Sequence, residues 1–275
     1  METRPPLVIK ASHGWRSIDL REIWNYRELL HIFAWRDLRV RYRQTLLGAL
    51  WIGGQPLVSM IIFTLLFNRL ARFTADGGAP YPVFVFAGLL IWNLVANTIV
   101  KAGNSLIGAS YLISKVYFPR MVIPLSSVVS EIVDFCVAGI MLVLLMIRYR
   151  VNPGASILLL PLPIAVACLL ALGVGLWVAA LNVEFRDVRV LVPFVLQLGI
   201  YAAPIVYPFS AIPEKYRWLA MLNPMTGIVL TFRAAVLGLP IPSTALVWPA
   251  LFAIACAATG AYYFRRMERL FADVL

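Results

Sequence analysis

Apolar positions in this chain do not alternate with polar ones; they come in long, nearly uncharged runs. A helix needs about 20 mostly apolar residues to cross roughly 30 Å of hydrocarbon. Five runs have that length, at 46–67, 81–100, 121–147, 157–181 and 190–207, and a sixth, 244–264, closes on Arg265 and Arg266. One more stretch, 218–237, is apolar but is interrupted by Asn223 and Pro224 and carries Arg233. The pattern predicts an all-α integral membrane protein with six transmembrane helices. An N-terminal segment, 1–44, precedes a membrane domain, 45–275.

Charge decides how the ambiguous stretch is read. With six spans, seventeen of the 24 Lys and Arg share a side with the amino terminus, Lys101, Lys115, Arg120, Arg186, Arg189 and the Arg265, Arg266, Arg269 group among them. The other side holds Arg69, Arg72, Arg148, Arg150, Lys215, Arg217 and Arg233. That bias fits the excess of cations on the cytoplasmic face, so both termini are expected there. A seventh span would carry the C-terminal cluster outside. The segment 210–237 is therefore expected to form short re-entrant helices that dip into the outer face, which requires protein or a water-filled cavity around their backbone.

Ahead of the first span, Ile23, Tyr26, Leu29, Leu30 and Phe33 recur at helical spacing, with Arg27, Glu28, His31 and Arg39 elsewhere. This stripe predicts an N-terminal amphipathic interfacial helix lying in the membrane plane, or else a helix packed on a soluble partner. Trp24 and Trp35, off the stripe, suit a headgroup boundary.

Composition excludes a soluble domain: 61% of residues are hydrophobic and 13% charged, about half the usual charged share. A net charge of +11 raises nucleic acid as a partner, but no polar basic surface with stacking aromatics accompanies it, and none is expected. Cys136, Cys168 and Cys256 sit singly in apolar runs, far from His13 and His31, so neither a disulfide framework nor a metal site is expected. The first 43 residues are polar and basic and do not read as a secretory signal.

Ionisable groups inside a span are expensive and need an explanation. Glu131 and Asp134, three residues apart, lie on one face of the third span. They border a transport path or subunit interface, or else Glu131 pairs with a neighbouring Arg or hydroxyl. Arg36, Arg39, Arg41 and Arg43 enter the first span from inside; cations there meet anionic headgroups at about 1 kcal/mol each, and a bidentate Arg also suits a pyrophosphate. The linker 110–120, with Ser114, Lys115, Tyr117, Phe118, Pro119 and Arg120, is either a plain turn or a short helix docking into a cytoplasmic partner. Prolines 193, 204, 208, 213 and 224 break helices in and after the fifth span, as a gate or as static kinks. No phosphate-binding G-x-x-x-x-G-K-[ST] loop, no H-E-x-x-H and no G-x-S-x-G occurs, so no catalytic residue is assigned.

Several stretches in series carry a resemblance. They are Arg41-Tyr42-Arg43-Gln44-Thr45-Leu46-Leu47-Gly48 with Gln55-Pro56, Phe86-Ala87-Gly88-Leu89 and Leu112-Ile113-Ser114-Lys115-Val116-Tyr117-Phe118-Pro119-Arg120. Asn182-Val183-Glu184-Phe185-Arg186-Asp187-Val188-Arg189, Ala203-Pro204-Ile205-Val206-Tyr207-Pro208 and Leu222-Asn223-Pro224-Met225-Thr226-Gly227 complete the series. Together they resemble the permease subunit of type-2 ABC exporters of polysaccharides, the transporters of O-antigen, capsule or teichoic acid. Glu131 departs from the family pattern, which has a small or apolar residue there.

The resemblance implies a homodimeric permease of the bacterial inner membrane with an ATP-binding subunit under each half. ATP and Mg would be bound by that partner, leaving this chain without a cofactor or enzymatic activity. It further implies a coupling helix at 112–120, outer gate helices after Pro208, with Pro204, Tyr207, Asn223 and Pro224 at the gate, and a polymer on undecaprenyl pyrophosphate as substrate. Aromatic rings stack on sugar faces, which makes Trp92, Tyr201 and Tyr207 candidates for the path or for lipid-facing packing. Two other classes remain: an exporter of drugs or other lipids, and a membrane-embedded transferase acting on lipid-linked sugars.

Overall fold

The computed structural model describes residues 24–43, 48–116, 118–240, 244–268 and 271, and all regular structure among them is helical. The helices are α1 (Arg27–Arg43), α2 (Gly48–Phe63), α3 (Tyr81–Gly108), α4 (Ser110–Lys115), α5 (Val122–Tyr149), α6 (Pro161–Glu184), α7 (Val188–Ala202), α8 (Glu214–Leu222), α9 (Pro224–Leu237) and α10 (Val247–Met267). A π-helical turn, Thr64–Leu70, continues α2, and a 3-10 turn, Gly154–Leu159, leads into α6.

Among the described residues four helices are long and apolar enough to cross a membrane: α3, α5, α6 with its leading turn, and α10. The pair α8 and α9 makes a fifth if taken as one span, but the two meet at 100°. α7 is apolar and shorter, 15 residues, because Ala203, held extended before Pro204, ends it five residues before the end of the fifth apolar run. Helix α2 starts at the edge of the described residues and stays helical to Leu70.

α3 is the centre. It is mostly apolar, and 78% of its most apolar window is buried, against 28–33% in the other three long helices. It packs on α5, α6, α9, α2 and α7. The outer helices instead present large apolar side chains outward, such as Ile140 and Val143 of α5, Val190 and Phe194 of α7 and Leu251 of α10. Water would not tolerate that surface, whereas hydrocarbon does.

Lipid gives helices no hydrophobic reason to associate, so close approach matters. α6 and α10 cross at Gly173 and Gly260: a Cβ on Gly173 would lie 2.5 Å from the Ala257 nitrogen. Beside the crossing, Trp177 stacks on Tyr263 at 4.4 Å and donates its indole N–H to Thr259.

The apolar stripe of α1 is covered by the chain itself. Phe33 is buried and lies 5.7 Å from the Phe118 ring, with Tyr26, Leu29 and Leu30 packed around the same cluster. Ile23 lies outside the described residues. The large residues left exposed are Ile32, Trp35 and Val40 of α1 and Trp24 just before it. Phe33 therefore serves to seat α1 on the bundle, and the large apolar residues that stay exposed lie off the stripe.

Candidate functional site

Three regions hold the residues singled out from sequence. The first is a polar recess at mid-helix depth between α2, α3 and α5. It has a volume of about 220 Å³ and is lined by Gln55, Asn93, Asn97, Glu131 and Asp134, with Pro56, Leu90, Leu94, Phe135 and Ala138 between them. Glu131 and Asp134 are both buried and share one face of α5. Their partner is Lys101 of α3, whose ammonium meets Glu131 Oε1 and lies 3.2 Å from Asp134 Oδ2.

The sequence placed Lys101 just past the second span, as a flanking cation. The helix instead runs on to Gly108, so Lys101 stays within it and faces α5. Polar residues on that extension are satisfied locally: Asn104 and Ser105 donate to carbonyls of their own helix, and the Asn182 amide of α6 donates to the Gly103 carbonyl at 2.7 Å. One cation against two carboxylates is a local excess of negative charge if all three are ionised, and such a group needs polar surroundings or water. The recess amides supply the former.

The second region is the far end of the bundle from α1. Here the residues named as a gate come together. Asn223 caps α9, accepting from the Met225 N–H at 3.0 Å, and Pro224 occupies the first helical turn, so Asn223-Pro224 is a true helix start. The Asn223 amide also donates to the Ala202 carbonyl, the last residue of α7. Tyr207 donates to the Tyr201 carbonyl, Pro204 is buried in the turn between them, and Pro208, next after Tyr207, is buried as well.

Side chains given no gate role from sequence hold this turn. Arg233, counted from sequence as an outer-face charge, is buried: it donates to the carbonyls of Phe84 (2.9 Å), Pro204 (2.6 Å) and Ile205. The Tyr81 hydroxyl donates to the Val206 carbonyl at 2.6 Å, and the Asp76 carboxylate accepts from the N–H groups of Phe209 and Ser210. Only an arginine inside an apolar stretch signalled this, and its charge looked like flank material.

Of the aromatic candidates, Trp92 is buried, its ring against Gly199 of α7, where a Cβ would come within 2.7 Å. It is a packing residue and is not open to a sugar. Tyr201 is exposed, with its ring edge-on to Phe63 of α2 at 6.4 Å. Gln55 and Asn97, and Gln197 of α7, are also exposed on apolar helices.

The third region is the α1 end. Helix α4 exposes Tyr111 and Lys115, and Val116 just after it is exposed too; the Lys115 ammonium lies 2.5 Å from the Tyr111 hydroxyl. Phe118 and Pro119 turn inward instead, so Phe118 anchors the segment to the bundle and is not presented to a partner. Tyr117 and the Ser114 side chain lie outside the described residues. Arg120 is half-buried against Glu268. Arg36 and Arg39 are exposed on α1, Arg36 being paired with Asp37 at 3.0 Å; the side chains of Arg41 and Arg43 lie outside the described residues.

Residues 28–237 match the family model described as ABC-2 type transporter. The chain is 31% identical over 207 residues to the O-antigen export system permease protein RfbA of Klebsiella pneumoniae, covering 75% of this chain and 79% of that one. It is 30% identical to the protein of the same name from Myxococcus xanthus, over 78% and 82% of the two chains. The polysialic acid transport protein KpsM of Escherichia coli is 22% identical over 85% of this chain and 91% of its own. The match runs from α1 through α9 and so takes in the recess, α4 and the capped Asn223-Pro224 break alike, and on that extent the chain belongs to the ABC-2 type transporter family of membrane proteins.

Proposed function

We propose that this chain is the membrane permease of an ATP-driven exporter of lipid-linked polysaccharide, of the O-antigen, capsule or teichoic acid kind, working as a homodimer in the bacterial inner membrane. Relatives named for O-antigen export and polysialic acid transport support the cargo class. On this reading there are six spans, formed by α2, α3, α5, α6, α7 and α10, with both termini cytoplasmic. α8 and α9 are a re-entrant pair at the outer face.

One observation carries the reading. Gln55, Asn97 and Gln197 are exposed in the middle of apolar helices, and a recess lined by amides and an ion-paired carboxylate pair opens beside the first two. Amides cannot face hydrocarbon at that depth without cost. They fit a face covered by a second copy around a wet conduit, in which hydroxyl-rich polymer exchanges hydrogen bonds with side chains and water. Tyr201 lies at the outer end of the same path. The exposed arginines Arg36 and Arg39, with Arg41 and Arg43, suit the diphosphate head at the inner end.

Energy comes from a partner ATP-binding subunit that holds ATP and Mg and presses on α4, through Tyr111, Lys115 and Val116. The test is a deletion strain carrying labelled polysaccharide. Polymer accumulating inside the cytoplasmic membrane supports export, and loss of polymer synthesis itself points to an enzyme. Purified chain without its partner is expected to hydrolyse no ATP.

A further inference from the structure

Helix α4 has six residues, too few to hold its own orientation, since isolated helices shorter than about 12 residues are marginal. Its direction depends on how the chain beyond it is held. Five residues past Lys115, that chain is fastened from behind: the Arg120 N–H donates to Glu268 Oε1 at 3.4 Å, and its guanidinium donates to the Glu268 main-chain carbonyl. Glu268 caps the end of α10, where unpaired carbonyls and the helix dipole both favour a cation. Around this contact Phe118 and Met121 are buried in one cluster with Phe33 of α1, Phe264 of α10 and Phe271. The rings of Phe264 and Phe271 lie 5.2 Å apart.

The contact joins residues 148 apart in sequence. Beyond it, α10 is in tight register with α6 through Gly173 and Gly260, and α6 packs along α3, which lines the polar recess. A displacement at α4 thus has a stiff route of packed backbone to the recess.

We propose that Glu268 is a positioning residue for energy coupling: it locks the segment after α4 to the inner end of α10, so that the two move as one body when a partner presses on α4. This rests on the reading of α4 as the ATPase contact. The lock does not create the contact with the ATPase; it decides whether a push there becomes motion of the bundle.

The test uses the full chain with its ATP-binding subunit in proteoliposomes. Wild-type complex is first measured for ATP hydrolysis and for polymer exported per ATP; failure to bind or drive an ATPase overturns the reading of α4 and this proposal with it. Given a working wild type, Glu268→Ala is expected to lower polymer exported per ATP about twofold, the factor that loss of a hydrogen bond at the weak end of the usual range gives, because the bond lost is a long one at 3.4 Å and the Arg120 guanidinium keeps its main-chain acceptor, while hydrolysis stays at the wild-type rate. Glu268→Gln, which keeps an oxygen at Oε1, is expected to restore most of the coupling. A Glu268→Ala complex with unchanged export per ATP overturns the proposal and leaves the α4 reading standing. A second arm tests the same contact with a covalent link in place of the lost bonds. With Cys136, Cys168 and Cys256 replaced by Ala, Arg120→Cys and Glu268→Cys are introduced together and oxidised. The reduced variant lacks both side chains of the lock and is expected to show lowered export per ATP, and the oxidised one, joined by the disulfide, is expected to regain it; wild-type export per ATP in the reduced state, or a block on oxidation that reductant relieves, overturns the proposal.

Discussion

The guanidinium carbon of Arg233 lies 3.6 Å from the centre of the Phe84 ring while its Nε donates to the Phe84 carbonyl, so one residue of α9 grips α3 by both ring and backbone. The other two nitrogens reach the carbonyls of Pro204 and Ile205, where α7 has already ended. A broken helix leaves carbonyls without intrahelical donors, and in hydrocarbon no water replaces them. Arg233 supplies the donors. Arg233→Ala is expected to cost about 3 kcal/mol or more, since several acceptors lose a charged donor together. Arg233→Lys should recover little, because a single ammonium cannot match three diverging acceptors. Thermal unfolding in detergent measures the cost, and a variant as stable as wild type would count against the role.

Gly88 makes room for that guanidinium. A Cβ there would collide with Arg233 Nη2 and lie 2.9 Å from the Ile205 carbonyl oxygen. Gly88→Ala raises helix propensity by about 1 kcal/mol, yet is expected to destabilise, because the steric term exceeds that gain. The effects of Gly88→Ala and Arg233→Ala should not add, since both remove the same set of bonds. Additive losses in a double-mutant cycle would show the two sites to be independent.

Trp92 and Tyr201 separate packing from path. Trp92→Ala opens a cavity between α3 and α7 and is expected to cost about 3–5 kcal/mol, the usual range for a buried Trp. Tyr201→Ala, on an exposed side chain, should change stability by no more than about 0.5 kcal/mol while lowering export. Paired measurements of melting and export on the two variants check this: normal export by Tyr201→Ala removes it from the path.

The apolar runs made four long helices legible, and Asn223-Pro224 marked the break between α8 and the fourteen-residue α9 because an Asn cap before a first-turn Pro is a local signal. What stayed hidden was set by contacts distant in sequence. Lys101 looked like the polar end of a span because a cation in an apolar helix is affordable only with its partner, and that partner lies on another helix. Phe118 looked like an exposed anchor because a short aromatic segment reads the same whichever way it faces; Phe33, 85 positions earlier by number, turns it inward. The fifth run overestimated α7 because hydropathy continues through Pro204 while the backbone does not.

Lys101 gives the sharpest test of the recess. Its side chain is a quarter exposed, while those of Glu131 and Asp134 are at 3% and 7%, so the carboxylates depend on it more than it depends on them. Removing one partner of a buried ion pair costs about 3–5 kcal/mol, because the other charge stays buried. Lys101→Met is therefore expected to lower the amount of inserted protein sharply. Adding Glu131→Gln and Asp134→Asn to Lys101→Met removes the stranded charge, and should return much of the lost insertion. If the charges serve only packing, the triple variant exports normally; if the polar recess borders the path, it inserts and exports poorly. Membrane yield and export measured on the same three strains distinguish these outcomes, and equal yield for Lys101→Met and wild type would remove the ion cluster from the account of the fold altogether.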